Sequence, residues 1–221
     1  MTREPLLLVG AGGLAREVLA AVRLGDQWEP VGVLDDRPSL VDSEVDGVPV
    51  LGASALVHDH PNVKVVVCVA NAHRAAGRRT VVRRLGLPSD RFATVVHPHA
   101  SLAPGVELGV GTVLLAGVVI TAPQRIGAHV LAMPQVLLTH DDEVADFVTM
   151  AGRVALAGGV RVGEAAYLGS GALVREGVHI GAEAVIGMGA VVLNDVPRGQ
   201  TWVGLPARVL STPSMPRLEA M

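Results

Sequence analysis

Two patterns in the sequence predict an α/β plus all-β chain: a small parallel α/β domain followed by a left-handed parallel β-helix. The first pattern is a glycine turn, Gly10-Ala11-Gly12-Gly13, set between a buried-strand pattern and a helix pattern. The second is a six-residue repeat that fills the C-terminal half without interruption. Composition agrees with both, since half of the residues are hydrophobic but only 2% are aromatic. A core built from Val, Leu, Ile and Ala suits thin, regular, stacked packing. The formal net charge of −3 offers nucleic acid no electrostatic footprint. Cys68 is the single cysteine and lies inside an apolar run, so it reads as a small buried hydrophobe. No targeting segment and no stretch long enough to span a bilayer is apparent, so a cytoplasmic protein is expected.

In chain order, residues 6–9 are a continuous apolar strand leading into the glycine turn and a helix with Val18, Ala21 and Val22 on one face. Residues 31–34 form a second strand, ending at Asp35-Asp36. Residues 63–69 form a third, followed by Asn71, His73, Arg74 and a helical stretch to Leu85. Strands alternating with helices imply a small parallel sheet, assigned to residues 1–97. Gly10, Gly12 and Ala15 stand in the places of a dinucleotide fingerprint, where the backbone approaches phosphate at a helix N-terminus. Asp35 follows at the distance of a ribose-binding acid. The domain lacks a second mononucleotide half, so a nucleotide handle suits its size better than a full dinucleotide.

Stepping by six from Leu102 to Val192 visits sixteen residues, of which only Ala132 is not Leu, Ile, Val or Met. The residue four further on is usually small or β-branched. Six residues make a short strand and a turn, and three of these close one triangular coil, so aliphatics stack every 18 residues. Residues 98–210 hold a little over five coils, and 211–221 are a tail. Gly109, Gly127, Gly163, Gly169, Gly181 and Gly187 recur at turns, where left-handed backbone angles are expected. Gln124 and Asp142 break the small-residue rule one coil apart, which predicts a local polar network beside His140.

His140 occupies a turn, with the small residues Ala122 and Gly158 one coil before and after it. A neutral histidine there could act as a general base, and Asp141 beside it could fix its tautomer. His129 and His179 are expected to be exposed turn residues. His97 and His99 flank Pro98 at the domain junction.

Taken together, these motifs resemble the NeuD/PglD-like family of sugar O- and N-acyltransferases, which join a small Rossmann-like domain to a left-handed β-helix. The marks are Val9-Gly10-Ala11-Gly12-Gly13, Gly32-Val33-Leu34-Asp35-Asp36, Thr139-His140-Asp141, Leu156-Ala157-Gly158-Gly159-Val160 and Val203-Gly204-Leu205-Pro206-Ala207. The resemblance implies an acyl-CoA-dependent N-acyltransferase, by default using acetyl-CoA, that acts on a nucleotide-linked amino sugar. It places the catalytic base on His140 and its acid on Asp141. Nucleotide-sugar contacts fall on Gly12, Gly13, Leu14, Asp35, Asp36, Asn71 and Arg74. Acyl-CoA contacts fall on Thr149, Ser170 and Met188, with Gly158 in the recess beside the imidazole. Thr149 departs from the family pattern, in which many relatives carry a second histidine. The family also implies a homotrimer with sites between subunits, and no metal. Sialic-acid-type O-acetylation is the alternative within the family. A three-histidine zinc enzyme, a nicotinamide-dependent reductase and a non-catalytic sugar-nucleotide scaffold are the readings outside it.

Overall fold

The computed structural model describes residues 3–72 and 75–210. Its first unit is a five-stranded sheet in the order β3-β4-β2-β1-β5. The strands are β1 (Glu4–Val9), β2 (Trp28–Leu34), β3 (Glu44–Val45), β4 (Val48–Gly52) and β5 (Lys64–Val67). All neighbours run parallel except the short β3–β4 hairpin. That hairpin escapes the sequence pattern because Pro49 and Gly52 interrupt its apolar alternation. The helix α1 (Gly13–Leu24) buries Ala15, Val18, Leu19, Ala21 and Val22, and α2 (Gly77–Leu85) ends at Gly86 in the left-handed region. Cys68 is buried, and burial pushes its thiol up to about 12, so it stays protonated.

The second unit is a three-sided parallel β-helix of two-residue rungs. The first wall carries Val95–Val96, Val113–Leu114, Leu131–Ala132, Thr149–Met150, Tyr167–Leu168 and Val185–Ile186. The second carries Ser101–Leu102, Val119–Ile120, Leu137–Leu138, Ala155–Leu156, Leu173–Val174 and Val191–Val192. The third carries Glu107–Leu108, Arg125–Ile126, Glu143–Val144, Arg161–Val162 and His179–Ile180. Each rung pairs with the rung 18 residues on, as Ile120 with Leu138 and Val144 with Val162. The aliphatic position of the hexapeptide fills one continuous core from Leu114 to Val192. Val95–Val96 is already the first rung of the first wall, so the passage between units precedes Pro98.

The turn glycines do a different job from the one expected. The left-handed residue of each turn lies two places later, as at Gly111, Gly117, Gly159, Gly171, Gly177 and Gly189. His129, Gln135, Asp141, Phe147, Arg153, Ala165 and Glu183 also occupy it. At Gly127, Gly163, Gly169 and Gly181 the next coil's backbone passes within 2.7 Å of where a Cβ would stand. Close approach of stacked coils, not a positive φ, demands glycine there.

The outer faces of the walls differ. Val113, Leu115 and Leu131 of the first wall pack against α1 and the first sheet in one cluster. The third wall displays an alternating row, Glu107, Arg125, Glu143, Arg161 and His179, with ion pairs Arg125–Glu107 and Arg161–Glu143. The second wall turns Val119, Leu137, Ala155, Leu173 and Val191 outward, and Leu173 is 47% exposed.

Two arginines of α2 fasten the units together. Arg78 is buried and donates to the carbonyls of Val69, His129, Phe147 and Val148 and to the Thr149 hydroxyl. Arg79 pairs with Glu164 and Glu183 on successive coils. His129, expected on the surface, is instead buried; its ring stacks on Phe147 at 5.0 Å and meets Phe92 edge-on at 4.7 Å. Burial, with Arg78 close by, lowers its pKa to about 4. His179 lies on a rung, not in a turn, and is exposed. No helix among the described residues is long and apolar enough to cross a membrane.

Candidate active site

The corner between the second and third walls carries Ala122, His140 and Gly158 on successive coils. At the His140 turn Asp141 adopts φ 61°, the left-handed position that aspartate tolerates better than most side chains. This turns its carboxylate back along the chain, and Asp141 Oδ2 lies 2.8 Å from His140 Nδ1. Both side chains are open to solvent, at 68% and 83% exposed. With Nδ1–H donating to the carboxylate, Nε2 keeps its lone pair. The ring rests over Gly158, where an added Cβ would stand 2.4 Å from Cε1 and 2.6 Å from Nε2. Gly158 therefore makes room for the imidazole, and the backbone there is tied by Gly159 N–H to the His140 carbonyl at 2.9 Å.

Beneath this turn lies the polar network expected from Gln124 and Asp142. Asp142 is 2% exposed, and its carboxylate accepts the N–H groups of Thr139 at 3.0 Å and Val160 at 2.9 Å. Gln124 accepts the Asp142 N–H through Oε1 at 2.9 Å and donates through Nε2 to the Thr139 carbonyl at 3.2 Å. Burial pushes the Asp142 carboxyl up to about 6, against the pull of the two N–H donors.

The residues expected around acyl-CoA are not gathered in one subunit. Ser170 and Met188 lie on the corner between the first and second walls, where Met133, Pro134, Gln135, Gly152, Arg153 and Ser170 line an open groove of about 350 Å³. The whole width of the second wall separates that corner from His140. Thr149 is buried and its hydroxyl is taken by Arg78, because the first domain covers its side of the first wall. The Thr149 hydroxyl is thus engaged at the junction between the units, which leaves its backbone for the expected contact with acyl-CoA.

In the first domain, Val9 pairs with both Leu34 and Val67, so one carboxyl edge of the sheet gathers the glycine turn, Asp35-Asp36 and Asn71. This is where parallel sheets bind ligands. A Cβ at Gly12 or Gly13 would meet nothing within 4 Å, so the space over the N-terminus of α1 is open. Leu14 is partly buried against the domain core. Gly10, by contrast, is fixed by the fold, with φ 105° and the Cys68 carbonyl 2.9 Å from its would-be Cβ. Asp35 does not present a free carboxylate: it accepts from Arg37 Nε at 2.8 Å and from the Ala11 N–H at 2.8 Å. The Arg37 side chain chiefly holds it down to about 2. Asp36 is likewise occupied, by Ser54 and Arg84, and Ser54 lowers its pKa most. Both acids shape the rim of the edge through the chain's own donors. Arg74 lies outside the described residues. Arg78 was not singled out by the sequence, because nothing in Arg78-Arg79 distinguishes it from the exposed pair Arg83-Arg84.

Residues 5–85 match the PglD N-terminal domain model, and residues 159–194 match the hexapeptide repeat of succinyl-transferase. A curated relative, UDP-N-acetylbacillosamine N-acetyltransferase of Bacillus subtilis, is 32% identical over 111 residues, 49% of this chain. The match spans 50% of that relative's length. Two solved structures align over nearly everything. The acetyltransferase domain of PglB from Neisseria gonorrhoeae, in complex with acetyl coenzyme A, gives a TM-score of 0.84 at 29% identity, covering 94% of this chain and 100% of that one. PerB from Caulobacter crescentus, in complex with CoA and GDP-perosamine, gives 0.82 at 30% identity, covering 93% and 96%. With both units matched in order and a 30%-identical relative aligned over 93% of the chain, the chain belongs to the NeuD/PglD-like family of sugar acyltransferases.

Proposed function

We propose that this protein transfers an acyl group, acetyl by default, from acyl-CoA to the amino group of a nucleotide-linked amino sugar, with His140 as general base. The observation that carries the reading is the His140–Asp141 pair, held at 2.8 Å on an open corner of the β-helix with the ring packed over Gly158. Nε2 takes the proton as the sugar nitrogen attacks the thioester carbonyl. The C–N bond forms, the C–S bond breaks, and the thiolate leaves to be protonated. Asp141 holds the Nδ1–H tautomer and stabilises the imidazolium.

The open glycine turn at Gly12 and Gly13 suits the diphosphate, with Leu14 and Asn71 along the same edge; Arg74 is assigned to the same substrate from its place in the sequence alone. In this reading Asp35 and Asp36, each engaged by the chain's own donors, order the edge on which the nucleotide lies. Thr149, Gly158, Ser170 and Met188 are assigned to the donor side, Thr149 through its backbone because Arg78 holds its hydroxyl. Relatives bound to CoA and to GDP-perosamine support both substrate classes. The assignment also favours a homotrimer. His140 and Ser170 flank the apolar second wall, the face that neither the first domain nor a charged row occupies, so a second copy there would bring the two corners together.

The test is release of free thiol from acetyl-CoA with a panel of nucleotide amino sugars, run beside sialic acid as a hydroxyl acceptor. Turnover with an amine acceptor supports the reading. Turnover with the hydroxyl acceptor alone moves the assignment to O-acetylation.

A further inference from the structure

The turn that carries His140 is not closed by the backbone bond that closes many turns of the helix, and elsewhere Val130 likewise gives its N–H to a side chain, the Thr112 hydroxyl. On the His140 corner Val106 donates to the Ala103 carbonyl and Val178 to Arg175, and Val118, Val136 and Val154 do likewise on another corner. At the His140 turn the Asp142 N–H goes instead to Gln124 Oε1, and one coil on the Val160 N–H goes to Asp142 Oδ1. The rung bond changes as well. Ala103, Thr121, Ala157 and Arg175 each donate N–H to the carbonyl 17 residues ahead. Thr139 alone in this column gives its N–H to Asp142 Oδ2, while its hydroxyl takes the Leu156 carbonyl at 3.2 Å. Three backbone donors have thus exchanged a backbone acceptor for a side chain reaching out from inside the coil. The exchanges bracket His140 and Asp141.

We propose that Gln124 and Asp142 are positioning residues that set the backbone of the turn bearing His140, and through it the place of the imidazole. The proposal rests on the reading of His140 as the base. An amide and a carboxylate stand where the other coils carry Val, Ala or Thr, and burying them is costly even when they are hydrogen-bonded. Stability alone would favour aliphatic residues at both places. What the pair supplies that Val cannot is a grip on both sides of the turn. Gln124 and Asp142 hold the Thr139 peptide at its carbonyl and its N–H, and Gln124 holds the Asp142 N–H beyond it. Departures from a local rule of this kind belong at functional positions. Catalytic geometry justifies the expense, since a misplacement of about 1 Å can lower a rate a hundredfold.

The test is the double variant Gln124→Val/Asp142→Val, which restores the regular repeat, compared with His140→Ala in the intact protein. The expected result is a Tm equal to or above that of the parent. With it, kcat should fall by about tenfold or more, while KM for acetyl-CoA and for the amino-sugar substrate stays within about twofold. Asp142→Asn, which keeps an acceptor towards Val160, should lie between the two and serves if the double variant does not fold. Parental kcat in the double variant, or in Asp142→Asn, overturns the proposal and leaves the base reading standing provided His140→Ala is inactive. Full turnover by His140→Ala sinks both.

Discussion

His140 can lie where it does because position 158 has no side chain. A methyl group there would stand 2.4 Å from the ring, so Gly158→Ala must push the imidazole off the corner. The backbone at Gly158 does not adopt a positive φ, so folding should tolerate the change. The expected outcome is a Tm within a few degrees of the parent and a fall in kcat of about ten- to a hundredfold. Steady-state kinetics beside a thermal melt would check it. Gly13→Ala makes the complementary case. Its Cβ meets nothing in the protein, so a rise in KM for the nucleotide sugar with unchanged Tm would mark a ligand in that space.

At the scale of elements, what holds the coils is the close passage of one turn over the next. Gly163→Ala would set a Cβ 2.5 Å from the Ala182 nitrogen, a clash with backbone that no rotamer relieves. Gly177→Ala meets no atom and faces only the left-handed backbone, at φ 69°. Chemical denaturation should therefore show a loss of about 3 kcal/mol for the first and about 1 kcal/mol for the second. Much of this element was legible in the sequence, because one aliphatic residue per hexapeptide reports each inward position directly. The Gln124–Asp142 network was legible too, as two breaks in one column. The role of the turn glycines was not, because composition does not separate a glycine required by φ from one required by a neighbour's approach. Nor was the β3–β4 hairpin, whose strands are short and broken by Pro49. The occupation of Asp35 by Arg37 lay in side-chain geometry that the dinucleotide spacing does not encode.

The whole molecule depends on the junction between its units. Arg78 satisfies four carbonyls that its removal would leave without that donor, so Arg78→Met should cost on the order of 3 kcal/mol and loosen the two units. His129 adds a pH dependence to the same junction. Its folded pKa of about 4 lies below the ordinary histidine value of about 6.5, so the folded state resists the proton. Its contribution to stability is therefore complete above about pH 6.5 and is lost as pH falls through about 4. Asp142 runs the other way, with a folded value of about 6 above its unfolded one, and loses stability as pH rises through about 6. Because the two oppose each other, the variant separates them. His129→Asn should flatten the acid limb of a Tm–pH profile, and a profile parallel to the parent's would refute the assignment. The arginine contacts escaped sequence reading, since a buried and an exposed arginine look alike in a helix. The three wall faces, by contrast, are written in the residue just before each aliphatic position.

That outward pattern gives the assembly its own test. Leu173→Glu places a charge on the apolar second wall, and sedimentation should show smaller species than the parent if copies pack there. The role of His140 is tested by thiol release from acetyl-CoA in His140→Ala with an amino-sugar acceptor that the parent acylates, alongside binding of both substrates. A general base at His140 requires retained binding and a loss of turnover of about a hundredfold or more. Turnover equal to the parent's, with both substrates bound, would contradict it.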